Sequence, residues 1–109
     1  MGHSHWDGDG ARAARHLALS LDAAADRLEA ARDPQAFIRA VEMNGRLWLS
    51  LVGPALGRAL PRHRLEFVND LFCRARQGVN DEEVEAMIRL NRTTSRELWS
   101  PADEPGKGR

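Results

Sequence analysis

Apolar residues in this chain recur every three or four positions, and nowhere do they alternate over the length of a strand. That period gathers them on one side of an α-helix, whereas a strand would split them between its two faces. The first run shows it plainly: Leu17, Leu21, Ala24 and Leu28 repeat at spacings of 4, 3 and 4 within an alanine-rich stretch. Tyrosine is absent and β-branched residues are few, so strand propensity is missing too. With 109 residues the chain forms one domain at most, with one modest core. The expected fold class is all-α, a compact bundle of about four helices joined by short loops.

Punctuation residues divide the helical pattern. The first helix is expected over residues 11–31, stopped by Asp33-Pro34. Asp33 suits an N-cap and Pro34 the first helical position, so the same pair starts the second helix over 34–52. Gly53-Pro54 is expected to break that helix, with a short helical turn in the "ALGRAL" that follows. The third is expected over 61–77, with Leu65, Val68, Leu71, Phe72 and Ala75 inward and Gly78 as its stop. Asn80 followed by Glu83 has the spacing of a capping box, and opens the fourth over 80–99. Residues 1–10 and 100–109 carry glycine, proline and polar residues with little to bury, and are expected to be a disordered leader and tail around a helical domain at 11–99.

Two positions break the pattern in the same way. On the second helix Phe37, Val41, Trp48 and Leu51 form an apolar stripe with Asn44 in its middle. On the fourth, Val84, Met87, Ile88 and Leu98 form another, interrupted by Asn91. A buried amide without partners costs on the order of 1–3 kcal/mol, so each must bond something. The structural answer is that Asn44 and Asn91 meet between the two helices, or bond helix-end or loop carbonyls. The functional answer is that they bond a bound helix. Leu47, Leu49 and Val52 also widen the apolar face of the second helix past half its circumference, which suits either a central helix or one shared with a partner.

Reactive chemistry finds no foothold. The chain has no phosphate loop, nucleophile elbow, paired cysteines or zinc-binding helix motif, and its four histidines are scattered at 3, 5, 16 and 63. No enzyme activity, cofactor or metal is expected. Asp81, Glu82, Glu83 and Glu85 suit the positive end of a helix dipole. His3 and His5 are too few ligands for a metal site. Cys73, beside Leu71 and Phe72, is expected to be a buried inert thiol. No apolar run approaches the ~20 residues of a membrane span, and the N-terminus lacks the pattern of a signal peptide. A cytoplasmic protein is the expectation.

Sixteen basic residues balance sixteen acidic ones, so no global field draws the chain to nucleic acid. The third helix does carry Arg62, Arg64, Arg74 and Arg76 against Glu66 and Asp70. Such a face contacts phosphates in some proteins and only water in many others. It lacks aromatic residues for stacking bases.

Three segments resemble one family. "AVEMNGRLW" at 40–48, "LPRHRLEFVNDLF" at 60–72 and "VEAMIRLNRTTSREL" at 84–98 are similar, in order and spacing, to segments of the flagellar biosynthesis regulator family FlaF. The resemblance spans residues 11–99. It implies a small, cytoplasmic, non-enzymatic helical protein that promotes flagellin synthesis or secretion. Flagellin is then the partner, bound as by a secretion chaperone. The alternative is an adaptor or RNA-binding role beside FlbT in post-transcriptional control of flagellin. A homodimer that opens to bind is a further option. Flagellin ends polymerise as amphipathic helices, and a binder must cover their apolar stripes. The candidate partner contacts are Phe37, Asn44, Leu47, Trp48, Leu51, Met87 and Asn91, with Leu65, Phe72 and Ile88 expected in the core or beside a groove.

Overall fold

The chain's first break is made by the residues expected to make it. Asp33 sits in extended backbone and its carboxylate accepts the Ala36 N–H at 2.8 Å, with Pro34 as the first helical residue. This and the other elements are seen in a computed structural model that describes residues 9–56 and 58–99. Helix α1 covers Asp9–Ala30 and α2 covers Pro34–Leu47. A π-helical turn follows at Trp48–Val52, then the single turn α3 at Gly53–Leu56. Helices α4 and α5 cover Arg62–Arg74 and Asp81–Trp99. All regular elements among the described residues are helical, and they form the expected all-α bundle.

Gly78 takes φ +123° after α4, the left-handed region that favours glycine, so the chain reverses there. Asn80 then caps α5 reciprocally. The Glu83 N–H donates to Asn80 Oδ1 at 2.8 Å, and the Asn80 N–H donates to Glu83 Oε1 at 3.0 Å. Glu83 also accepts from Arg74 Nη2 at 2.6 Å, which ties the start of α5 to the end of α4. Arg74 first, and the Asn80 N–H second, hold the Glu83 carboxyl below its usual range. A carboxylate with a depressed folded pKa stabilises the fold above its unfolded pKa, near 4.3, and loses that contribution as pH falls through the folded value. The variant Glu83→Gln is therefore expected to melt lower than the parent at pH 7. The difference should shrink as pH is lowered from about 5 through the acid range. Thermal melts followed by circular dichroism against pH check this, and a pH-independent difference would refute it.

Gly53-Pro54 does not break the second helix where the sequence suggested. Residue 53 stays helical and the chain continues to Leu56. Proline within a helix removes one N–H and crowds the carbonyl four residues back. Here the turn before Pro54 is wider than an α-turn, and the Gly53 N–H reaches back to the Trp48 carbonyl. The extra residue also shifts the phase of the helix. Val52 becomes fully buried and Leu51, expected inward, is left 52% exposed.

α1 runs antiparallel to α5 along the longest interface among the described helices; Asp22 meets Ser95 and Asp26 meets Arg92. α2 packs on α1 and α4. One part of the core joins Ala14, Ala18, Leu21, Trp48, Val52, Leu56, Val68 and Leu98. The other joins Leu28, Ala40, Val41, Leu71, Ala75, Val84 and Met87. Phe67 packs against both. Gly45 lets α2 approach α4: a Cβ there would stand 2.5 Å from Phe72 Cδ1 and 2.7 Å from Phe72 Cβ.

Two further expectations change. Cys73 is exposed, because Val68 and Leu71 on α4 and Ala75 just after it are buried and position 73 turns to the far side. Helix α1 begins at Asp9, inside the expected leader. Residues 1–8, with His3 and His5, and the tail 100–109 lie outside the described residues.

Candidate partner-binding site

The two amides meet. Asn91 Nδ2 donates to Asn44 Oδ1 at 2.7 Å and to the Leu21 carbonyl at 3.1 Å. Trp48 Nε1 donates to Asn91 Oδ1 at 2.9 Å, and Asn44 Nδ2 donates to Met87 Sδ. The orientation of both amides follows from their neighbours. An indole N–H can only donate and a backbone carbonyl can only accept, so Asn91 must turn Oδ1 to Trp48 and Nδ2 to Leu21. Asn44 must then present its oxygen to Asn91. All four side chains have no solvent exposure. The network lies where the two parts of the core join, bonding α1, α2, the π turn and α5 to one another.

The seven candidate contacts therefore separate. Asn44, Trp48, Met87 and Asn91 are enclosed, and a partner could reach them only after the bundle opened. Their polar atoms already have internal partners, the common fate of buried polar groups. Phe37 is half-buried and packs against the second part of the core, together with Ile88. Leu47 is half-buried, and Leu51 is exposed. Leu65 packs half-buried against the first part of the core, while half-buried Phe72 lies against Gly45.

Leu47 and Leu51 share an open groove along the seam of α1 with α2 and the π turn. Its wider part, about 540 Å³, is lined by Ser20, Ala23, Ala24 and Arg27 from α1, and Met43, Arg46, Leu47, Ser50 and Leu51 opposite. Arg27 and Met43 continue into a second part of about 280 Å³ with Ala30, Ala31, Ala36, Arg39 and Ala40. The groove exists because α1 offers small residues there, and these cannot fill the space between two helix axes. Met43 is 43% exposed on its floor. Sequence reasoning missed Met43 and the α1 wall. The available signal was Ser20, Ala23, Ala24, Arg27, Ala30 and Ala31, which repeat at helical spacing beside the buried Leu21 and Leu28.

The arginines divide sharply. Arg64 bonds Glu97 and Thr94, Arg74 bonds Asp70 and Glu83, and Arg76 bonds Glu42. Arg92 joins Asp26 and Glu29, with Asp22 at 3.8 Å. Three of the four arginines that suggested a basic face between residues 62 and 76 are thus held by the fold's own carboxylates. Arg27, Arg39 and Arg46, all exposed, have no side-chain bond among the described residues. The described residues bring together no cluster of three or more histidine, cysteine or acidic side chains suited to a metal ion. None of their helices is long and apolar enough to cross a membrane. The chain matches no protein-family model, no curated protein and no solved structure.

Proposed function

We propose that this chain is a FlaF-like, non-enzymatic cytoplasmic protein that binds unpolymerised flagellin and so promotes its synthesis or secretion. Two things support the reading. The segments at 40–48, 60–72 and 84–98 resemble that family in order and spacing. The observation that carries it further is the open apolar groove with Met43 and Leu51 exposed along it. A helix lying in such a groove has its apolar stripe covered, and that is what a subunit built to polymerise needs before export. The amide network supports the same role indirectly. It fixes how α1, α2 and α5 sit together, so the groove is held open in the free protein rather than assembled on binding.

The test is direct. The full chain is mixed with unpolymerised flagellin and run on size exclusion at low and high salt. A one-to-one complex that persists at high salt is expected, because apolar contact is not screened by ions. No complex at any salt would overturn the reading. A complex with flagellin message that weakens steeply as salt rises would replace it with the RNA-binding one.

A further inference from the structure

The groove has a rim as well as a floor, and the rim says what kind of helix lies in it. Its floor and walls are Ala23, Ala24, Met43, Leu47 and Leu51, continued by alanines toward Ala31. Its charged residues are Arg27, Arg39 and Arg46, and no acidic residue lines either part. Four arginines elsewhere are held on carboxylates of neighbouring helices or turns, while Arg15, Arg32, Arg58, Arg62 and Arg89 are not. The rim arginines have no such partner. They stand at 39 and 46 on α2 and at 27 on α1, so they flank the apolar strip from both sides.

We propose that the groove is the docking site for one amphipathic helix of a partner protein, whose apolar stripe is flanked by aspartate or glutamate. Resting on the reading above, this names the flagellin segment by its chemistry: an acid-flanked helix. From Ser20 to Ala30 the α1 wall is about 15 Å long at 1.5 Å per residue, which suits a guest of roughly three turns. Apolar side chains of the guest would meet Met43, Leu47 and Leu51, and its carboxylates would reach the three guanidiniums. A second copy of this chain is a poor occupant. Two such grooves face to face would set each arginine rim against another, and like charges in contact oppose association.

The test uses two synthetic helical peptides with the same apolar stripe, one flanked by glutamate and the other by lysine. Each is titrated into the full chain by fluorescence anisotropy. The glutamate peptide is expected to bind, and the lysine peptide to bind at least tenfold more weakly at low salt, with the gap closing at high salt. The triple variant Arg27→Glu, Arg39→Glu, Arg46→Glu should reverse the preference and gain affinity for the lysine peptide. Misfolding cannot produce that gain. Met43→Glu should weaken the glutamate peptide in either background. Equal binding of both peptides, binding by neither, or a preference unmoved by the triple variant would each overturn the proposal. Flagellin co-elution is read separately. Flagellin that binds the parent and the triple variant alike leaves the flagellin reading standing and removes this groove from it.

Discussion

Asn91→Leu is expected to cost the fold roughly 3–5 kcal/mol, because it strands two buried polar groups at once. The Trp48 indole loses its acceptor and Asn44 Oδ1 its donor, while the Leu21 carbonyl, inside α1, keeps its helical bond. All of this happens where no water reaches. Against a total stability of about 5–15 kcal/mol for a domain, that is a large share. Urea unfolding followed by circular dichroism measures it. The companion Trp48→Phe removes the N–H together with part of the bicyclic ring, so it also leaves a cavity in the core. The double variant should be less damaged than the sum of the two, since removing both partners of a bond leaves neither unsatisfied. Strict additivity would sink the network as a stabilising unit. An Asn91→Leu variant that folds as well as the parent but no longer binds flagellin would return the amides to the partner surface.

Gly45→Ala is expected to destabilise by about 2–4 kcal/mol, although alanine is the better helix former by about 1 kcal/mol. The sign is decided by distance. The added methyl would lie 2.5–2.7 Å from Phe72 Cδ1, Cγ and Cβ. Turning the side chain about its Cα–Cβ bond can move the first two away. It cannot move Cβ, which is fixed to the α4 backbone, so α4 must withdraw from α2. Phe72→Ala in the same background should restore only part of the loss, because alanine keeps its own Cβ. Thermal melts of the three variants settle the order. A Gly45→Ala protein as stable as the parent would show that the α2–α4 approach is looser than the structure has it.

Both effects trace to the eight residues from Val41 to Trp48, and they were not equally legible. Asn44 announces itself, because an amide on an apolar stripe is an anomaly with a known cost. Its match with Asn91 on a second stripe suggested the pairing. That the indole N–H and the Leu21 carbonyl complete the set was not legible, since the helix register and crossing that bring Leu21 to Asn91 belong to no single segment. Gly45 carried a signal that went unread: a glycine inside a helix costs stability and needs a reason. The Phe72 that supplies the reason is 27 residues away in the chain.

Whatever depends on near neighbours was legible without the fold. Helical period, the Asp33 and Asn80 caps and the Gly78 reversal all arise from interactions within a few residues, and those residues sit where local chemistry requires them. Whatever depends on phase and on gaps between helices came from packing. The wide turn ahead of Pro54 carries the helix past a breaker and turns Leu51 outward in favour of Val52. Small residues on α1 become a groove only once α2 lies beside them. Its arginines become a rim only because α1 and α2 bring them to one seam that no acidic residue lines. Each of these is a relation between surfaces, and a linear pattern specifies surfaces only after the helices have been placed against one another.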